Sequence, residues 1–393
     1  MVERNQTEIS KLLTILVFIL LTQVSLGSIS LNTEIITSWE ETSPNSSPQE
    51  RDNMGFIFVP GINKTLLFGG NGATQYYDMW TYDVTSNTWD EISTTNQPEL
   101  TQHATAYDQQ NQKIVTFGGR QSGSIQDKTY TFDYTTNNWT QQNPDIKPSP
   151  RVYTNMVYDP IQNKLILFGG QYLSGTVYGD TWSYDYVSDN WTQLFPEVSP
   201  PARSYFGMDY NPISQKILIF GGYDNKGVNS QVFDDVWEYS VSENNWTQIT
   251  TTGNQPAAAG IGFAYDSTNS GFISFRGNTW FLNATDYHFT NYTSSHTNPI
   301  SRSSYNSLVY DRSKQTTILF GGYDNNGNYV GDTWEFNMTV NKPKTVDTTP
   351  IPTSTSPPTT SSSNKNNTSF YFVETGIICI VITLYFKRRI VLN

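Results

Sequence analysis

Short apolar runs that end in two glycines recur along the chain and define its organisation. Five clear copies end in Phe68-Gly69-Gly70, Phe117-Gly118-Gly119, Phe168-Gly169-Gly170, Phe220-Gly221-Gly222 and Phe320-Gly321-Gly322. A sixth, degenerate copy ends in Phe275-Arg276-Gly277. The phenylalanines lie 49, 51, 52, 55 and 45 residues apart, a period that fits one four-stranded sheet per repeat. The pattern therefore predicts six sheets.

Aromatic residues at fixed distances from each run predict the four strands of every sheet. Strand one carries an aromatic residue ten positions before the phenylalanine in each repeat, and the run itself is strand two. Strand three carries Trp80, Tyr130, Trp182, Trp237, Trp280 or Trp334. Strand four carries Trp89, Trp139, Trp191, Trp246 or Phe289, and the sixth repeat lacks this residue. Because the loop between Phe275 and Trp280 is much shortened, the fifth sheet is expected to be irregular.

The missing strand is predicted at the N-terminal end of the chain. Trp39 precedes Phe68 by 29 residues, the interval that also separates Trp139 from Phe168. A strand from about residue 35 therefore completes the sixth sheet beside Trp334 and leaves no sheet edge open. All ten tryptophans fall in strand-three or strand-four positions. We predict an all-β fold, a single six-bladed β-propeller over residues 35–340 that its N-terminal strand closes.

The combination of an apolar run, a double glycine and spaced Tyr and Trp residues resembles the Kelch repeat over residues 35–340. The resemblance implies two classes of function. Most Kelch propellers bind proteins, whereas some, including galactose oxidase and sialic-acid mutarotases, act on carbohydrates. The glycines are expected to provide positive φ angles and close backbone approach. The alternative, a phosphate-binding loop, lacks the Gly-Lys-Ser/Thr sequence that it requires.

Composition narrows the chemistry that the chain can support. Aromatic residues make up 14% of the chain and charged residues 15%, a balance that favours strands over long surface helices. The formal net charge is -12, so a nucleic-acid partner is not expected. The single cysteine, Cys379, excludes an intramolecular disulfide and a cysteine-based zinc site. It also excludes the tyrosine–cysteine crosslink that galactose oxidase needs, and we expect no cofactor and no metal.

Both ends of the chain carry segments typical of a cell-surface protein. Residues 1–28 have the layout of a signal peptide, with an uncleaved anchor as the alternative. Residues 341–369 are rich in Ser, Thr and Pro and are expected to form a disordered stalk. Residues 370–389 are predicted to be a transmembrane helix whose basic end lies in the cytoplasm. A buried terminal helix and a cell-wall sorting tail are the alternatives, and the hypothesis is a single-pass protein with an extracellular propeller.

The two faces of the predicted propeller carry different loops. We define the upper face as the one that carries the loops from strand two to strand three and from strand four to the next blade. The lower face carries the other turns, and both ends of the propeller chain are predicted there. Sequons in or beside the lower turns are candidates for glycosylation: Asn63, Asn138, Asn190, Asn245 and Asn283. The alternative is that asparagine serves these turns only as a favoured turn residue.

Arginines near the start of strand one are the candidate ligand-binding residues. Four repeats carry one, predicted near the upper mouth of the central channel: Arg51, Arg151, Arg203 and Arg302. Guanidinium groups in this position suit carboxylates of a peptide or glycan, and Tyr153, Tyr205 and Tyr305 nearby suit stacking on sugar rings. The alternative is that each arginine supports the blades by pairing with an acidic or carbonyl neighbour, and that the tyrosines pack at the channel rim. Aspartates that precede strand three are expected to be structural acceptors: Asp78, Asp180, Asp235 and Asp332.

These observations favour a cell-surface binding or adhesion module whose upper face recognises a protein or glycan. One alternative is a carbohydrate-active propeller enzyme of the sialic-acid mutarotase type, for which a few polar side chains suffice. Another is an envelope component that spaces other proteins. No nucleophile with a neighbouring base stands out, and His103, His288 and His296 are not grouped in the repeat. We therefore assign no catalytic residue and expect no enzyme activity.

Overall fold

The computed structural model describes residues 34–173, 175–293, 298–303 and 307–341. These residues form six antiparallel four-stranded sheets, the blades of a β-propeller. Strand one of each blade lies beside strand one of the next around a closed ring. The all-β class and the six blades predicted from the sequence are confirmed. Within the described ranges the one helical element is the 3-10 turn Gly227–Asn229.

Strands one to four of the first three blades follow one another along the chain. In blade one they are Gly55–Val59, Lys64–Asn71, Gln75–Asp83 and Thr88–Glu91. In blade two they are Ala104–Asp108, Lys113–Phe117, Thr129–Asp133 and Asn138–Gln142. In blade three they are Asn155–Asp159, Lys164–Phe168, Thr181–Asp185 and Asn190–Leu194. Each of these strands begins and ends where a turn interrupts the apolar alternation of the sequence.

Blades four and five repeat this order, and blade six takes its outer strand from the other end of the chain. In blade four the strands are Gly207–Asn211, Lys216–Phe220, Val236–Ser240 and Asn245–Ile249. In blade five they are Gly262–Asp266, Gly271–Phe275, Thr279–Asn283 and His288–Asn291. In blade six they are Leu308–Asp311, Thr316–Asp324, Tyr329–Asn341 and, as strand four, Glu34–Thr42.

Closure of the ring follows the predicted scheme. Strand Glu34–Thr42 pairs antiparallel with Tyr329–Asn341, and Trp39 lies opposite Phe336. Glu34 lies opposite Asn341, so both ends of the propeller chain lie at the lower edge of blade six. The N-terminal strand covers the outer edge that strand three of this blade would otherwise leave unpaired.

Blade five departs from the others, as its short loop suggests. Strands two and three are joined by the tight connection from Phe275 to Thr279. The pair Thr252–Gly253 adds a short parallel strand outside strand four of this blade. The four-stranded sheet is nevertheless intact, so the substitution of Arg276 for a glycine changes the loop and leaves the blade in place.

The core is divided into six apolar layers, one between each pair of neighbouring blades. In one layer Trp89 and Tyr82 of blade one pack with Phe320 of blade six. In another, Trp39 of blade six packs against Phe275 of blade five at a ring-centroid distance of 5.2 Å. Because every blade buries both faces, the recurring aromatic residues hold the ring together through burial of apolar surface.

The double glycines sit where neighbouring blades approach most closely. Gly118 has φ +70°, and a Cβ atom there would lie 2.6 Å from the carbonyl oxygen of Arg151 in the next blade. The following amide, Gly119 N–H, donates to the same oxygen at 2.8 Å. A side chain at Gly118 would therefore break an inter-blade contact as well as strain the backbone. These are the two roles that the sequence suggests for the glycines.

The terminal segments of the sequence analysis lie outside the described residues. They are the predicted signal peptide over residues 1–28, the stalk over residues 341–369 apart from its first residue, Asn341, and the transmembrane helix over residues 370–389. Among residues 34–341 as described, no helix has the length and apolar content needed to cross a bilayer.

Candidate functional site

The four candidate arginines are fully buried, and each is bound by groups of its own blade. The guanidinium of Arg151 donates to both carboxylate oxygens of Asp180, at 2.7 and 2.9 Å. It also donates to the carbonyl oxygen of Gly169 at 2.9 Å, and its Nε–H donates to that of Ser149 at 3.0 Å. Arg51, Arg203 and Arg302 make the equivalent contacts to Asp78, Asp235 and Asp332. Four of the five N–H donors of the Arg151 guanidinium are used in these bonds.

Each aspartate of these pairs also binds the strand-three tryptophan. The Nε1–H of Trp182 donates to Asp180 at 2.7 Å, and the other three blades show the same distance. Although burial alone would raise it, the hydrogen bonds from Arg151 and Trp182 keep the pKa of Asp180 below its usual value. Arginine, aspartate and tryptophan thus form one buried unit that joins the start of strand one to strands two and three.

This geometry corrects the ligand-binding interpretation of the arginines. Their side chains have no exposed surface, and each charge is already neutralised by a bidentate carboxylate. An acidic ligand would have to displace that carboxylate, and the remaining buried charge would be costly. The arrangement supports the alternative weighed from the sequence, in which each arginine holds the blade together.

The sequence contains a signal for this pairing that the analysis of single residues missed. Blade two has Leu100 in place of the arginine and Lys128 in place of the aspartate. Blade five has Ala258 and Asn278 at the same two positions. Both members of the pair are present or absent together within the repeat, which is the pattern of two residues that bind one another.

A belt of backbone hydrogen bonds surrounds the upper mouth of the central channel. Over blades one to five, it joins the residues that lie two positions after the arginine position. Gln102, Tyr153, Tyr205 and Gly260 each donate the backbone N–H to the carbonyl of the equivalent residue in the preceding blade, and Asn53 is the first acceptor. These bonds measure 2.9 to 3.3 Å. All five residues have φ between +54° and +67°, a conformation that costs a bulky residue such as Tyr153 free energy.

The tyrosines predicted at the channel rim stack on one another. The rings of Tyr153 and Tyr205 are 3.9 Å apart at an interplanar angle of 22°. A second pair, Tyr323 and Tyr329 of blade six, meets edge to face at 5.0 Å. Tyr305 lies outside the described residues. The upper mouth is therefore an aromatic surface, whereas the predicted stacking on sugar rings stays a prediction.

Asp52 lies among these tyrosines and was missed in the sequence. Burial raises its pKa to about 6, and the nearby Asn53 side chain and backbone only partly offset this effect. The other blades carry uncharged residues at this position, namely Thr101, Val152, Ser204, Ala259 and Ser303. A single charge in an otherwise uncharged repeat position is the signal that could have identified it. We name Asp52, Tyr153, Tyr205, Tyr323 and Tyr329 the mouth cluster.

Exposed apolar side chains concentrate on the upper loops of blades three and four. Leu173 is 55% exposed and Val228 is fully exposed, with Tyr172 and Val232 beside them in the same two loops. The loops are connected, because Gln171 accepts hydrogen bonds from Ser204 at 2.9 Å and from Asn225 at 3.2 Å. We name Tyr172, Leu173, Val228 and Val232 the loop patch. It is an apolar surface of the kind that binding sites use.

The central channel opens on the lower face as a cavity of about 520 Å³. Its wall carries Asp209 at a position where the other blades have Ile57, Ala106, Val157, Ala264 and Val309. Asp209 accepts the backbone N–H groups of Tyr210 and Tyr265 at 2.7 Å each, and burial raises its pKa. Arg312, which is exposed at the lower rim of this cavity, carries the charge opposite to that of Asp209. The volume is that of a small-molecule site.

Other polar side chains, among them Asp324 of an upper loop of blade six and two of the histidines named above, have structural contacts in this geometry. Asp324 accepts backbone N–H groups of Asn326 and Asn328 at 2.9 and 2.8 Å and so closes a turn. Over the described ranges, no group of three His, Cys, Asp or Glu residues is placed to hold a metal ion. His103 is buried with its Nδ1 at 2.7 Å from Thr105 Oγ1, and His288 lies on the outer strand of blade five.

The candidate sequons differ in accessibility. Asn63 and Asn190 are exposed in lower turns. Asn138, Asn245 and Asn283 are half-buried, and each accepts hydrogen bonds through its side-chain oxygen. Glycosylation of these positions stays a prediction, with Asn63 and Asn190 the most accessible of the five.

Parts of the chain are similar in sequence to known proteins and to one family model. The model of the KLHDC2/KLHL20/DRC7 Kelch-repeats domain matches residues 25–152 and 102–273, together more than half of the chain. An alignment of 177 positions, which covers 43% of the chain, shows 28% identity to 47% of N-(sulfonatooxy)prop-2-enimidothioate sulfolyase of Thlaspi arvense. Half of the chain is 26% identical to 33% of Adagio-like protein 1 of Oryza sativa subsp. japonica. A further 26% identity relates 47% of the chain to 23% of Kelch repeat-containing protein 2 of Saccharomyces cerevisiae. The chain thus spans less than half the length of these relatives.

Proposed function

Because the chain belongs to the Kelch-repeat family, whose propellers generally bind proteins, we propose that it is a protein-binding module of the cell surface that works through its upper face. The observation that carries the proposal is the loop patch, four apolar side chains exposed on two connected upper loops. Such side chains lose contact with water on binding a protein and so supply affinity.

A pair of variants tests the use of the upper face. Leu173→Glu combined with Val228→Glu places charges in the loop patch, while Ile213→Glu places one in a lower turn where the side chain is 46% exposed. The full chain and both variants are used to capture cross-linked proteins from intact cells, which mass spectrometry quantifies. We expect captured proteins to fall at least about tenfold with the upper variant and to persist with Ile213→Glu. Equal capture by all three chains would refute the proposal.

Presentation at the cell surface is the second part of the proposal. Its support is the sequence of residues 1–28 and 370–389, together with the lower turns that carry the accessible Asn63 and Asn190. An antibody against the propeller should label intact cells as strongly as permeabilised ones. The variant Asn63→Gln with Asn190→Gln should migrate faster on a gel by the mass of two glycans. Labelling that requires permeabilisation would argue against surface presentation.

A second candidate function is chemistry on a small sugar in the lower channel. The observation that favours it is the cavity of about 520 Å³ with Asp209 in its wall and Arg312 at its rim. Magnetisation exchange in NMR spectra would report whether the full chain accelerates anomer exchange of free sialic or uronic acids. Exchange that is accelerated and lost in Asp209→Asn would establish this function. Exchange at the rate of buffer alone would dismiss it.

A further inference from the structure

Asp52 carries a buried oxygen that nothing in the described part of the protein satisfies. Its Oδ1 atom is inaccessible to water and has no hydrogen-bond partner, and Asp52 forms none of the ion pairs among the described residues. The backbone of Asp52 is fixed by a pair of hydrogen bonds to Asn71, each 2.8 Å long. A carboxylate held in this way costs stability unless a donor approaches it.

The tyrosines of the mouth cluster lie around this carboxylate. Arg51, just before Asp52, accepts the N–H of Gly322, the neighbour of Tyr323, at 2.8 Å. Asn53, just after it, accepts the N–H of Gln102, whose carbonyl in turn accepts that of Tyr153 at 3.3 Å. In keeping with this placement, the charge of Asp52 adds to burial in raising the pKa of Tyr153 and Tyr329. The π faces of tyrosine rings attract cations, most strongly where water is scarce. The carboxylate of Asp52 and the tyrosine rings therefore both favour a cation.

The described arginines of the upper mouth are bound to other groups. The arginines of the buried units are neutralised by their aspartates. Arg120, which lies close enough to Tyr153 to lower that residue's pKa slightly against the effect of burial, is held by Gln102 at 3.3 Å and by the carbonyl of Gly123 at 3.2 Å. Among the described residues no cation pairs with Asp52, so a cation of a bound molecule is free to neutralise it. The net charge of -12 attracts such a molecule.

From these contacts we infer that the mouth cluster receives a lysine or arginine side chain of the protein partner, whose charged group binds the carboxylate of Asp52 and lies against the tyrosine rings. The inference rests on the proposed function and specifies the chemistry of the partner. It also accounts for tyrosine at two belt positions where glycine or asparagine would be less strained, because the rings supply the cation-binding surface.

Selection from a displayed library of random linear peptides tests the inference with the full chain. Selected peptides are then measured against three variants: Asp52→Asn, Glu99→Gln, which removes an exposed carboxylate of the same face, and Leu173→Glu in the loop patch. We expect the peptides to share a Lys or Arg. Its replacement by norleucine, and Asp52→Asn in the protein, should each weaken binding about tenfold or more, against less than about twofold for Glu99→Gln.

The outcomes separate the inference from the proposed function. Peptides that depend on Leu173 but share no basic residue, or that lose as much affinity with Glu99→Gln as with Asp52→Asn, overturn the inference and leave the proposed function standing. A library that yields no peptide sensitive to Leu173→Glu contradicts the proposed function itself. If Asp52→Asn fails to fold, Asp52→Ser replaces it, since serine occupies the equivalent position at Ser204 and Ser303.

Discussion

At the scale of single residues, the strand-four tryptophans show how one hydrogen bond links neighbouring blades. Trp191 donates through Nε1 to Thr129 of blade two at 2.9 Å, and Trp246 donates to Thr181 of blade three at 3.0 Å. Trp89 and Trp39 make the same bond to Thr333 and Thr279. Trp139 has Met79 at this place instead of threonine, and its Nε1–H is buried without a partner.

An acceptor for Trp139 at position 79 should stabilise the protein relative to a matched variant that lacks one. Met79→Thr would offer Trp139 a hydroxyl as acceptor. In Met79→Val, the valine side chain has the same shape as threonine but no hydroxyl. Both shorten a buried side chain, so the comparison of the two variants isolates the hydrogen bond. We expect the free energy of unfolding of the threonine variant to exceed that of the valine variant by about 1 kcal/mol. Equal values in denaturant titrations would show that the indole N–H is satisfied in another way.

His103 should make stability depend on pH. Burial lowers the pKa of this histidine from 6.5 to about 4, against backbone contacts that raise it. The unfolded chain therefore binds a proton between these values that the folded chain does not, and stability falls as the pH decreases through this window. Asp52, whose pKa is raised to about 6, acts in the opposite sense, so its effect must be cancelled by comparison with a variant.

His103→Gln removes this titration and leaves that of Asp52. Between about pH 7.5 and about pH 4.5, the wild type should lose about 2 to 3 kcal/mol more free energy of unfolding than the variant does. Chemical denaturation at both pH values measures the difference. A wild type and variant whose stabilities change in parallel would mean that His103 is protonated in the folded protein.

At the scale of the blade, the buried unit of arginine, aspartate and tryptophan replaces the predicted ligand site. Arg151→Met removes one charge and leaves Asp180 partly buried without its partner, which should cost about 3 kcal/mol or more. In Arg151→Met with Asp180→Asn the unpaired charge is gone, and we expect part of the loss to be recovered. A double-mutant cycle from unfolding curves gives the coupling energy.

The same variants decide between support and ligand binding. If Arg151 only supports blade three, the folded double variant should capture the same proteins from cells as the wild type. Blade two provides the natural precedent, since it folds with Leu100 and Lys128 at these positions. Loss of capture by a double variant that melts normally would restore the arginine as a ligand-binding residue.

At the scale of the whole molecule, the ring depends on one non-local strand. Trp39 is buried between Phe275 and Phe336, and its Nε1–H donates to Thr279 at 2.7 Å. Trp39→Ala should therefore cost about 3 to 5 kcal/mol, and so should Trp191→Ala at the equivalent place in blade three. The two variants should differ in what they expose. Only Trp39→Ala loosens the strand that covers the edge of blade six.

Amide hydrogen exchange distinguishes the two effects. With Trp39→Ala, strands Glu34–Thr42 and Tyr329–Asn341 should lose protection while blade three keeps its own. With Trp191→Ala the loss should centre on blades two and three. Uniform loss in both variants would mean that the ring opens as one cooperative unit and that the N-terminal strand has no special role in closure.

Sequence and structure agree on whatever the repeat determines locally. The six blades, the strand order and the closing position of Trp39 follow from apolar alternation, turn residues and fixed spacing, because each blade buries the same positions. For the arginines, the sequence left two alternatives open, namely binding of a ligand at the channel mouth and support of the blade. Blade two lacks both the arginine and the aspartate and has Leu100 and Lys128 in their places. This joint absence would have favoured the buried pair, since two residues in contact tend to change together.

The contents of the channel and of its mouth were decided only by the tertiary structure. Asp52 and Tyr153 come from different blades, about 100 residues apart in the chain, and no local pattern relates them. Asp209 and Arg312 meet in one cavity for the same reason. The sequence by itself determined the ring, because burial acts on every repeat alike. The packing of six blades around one axis decided which charged side chains are paired and which face the channel or its mouth.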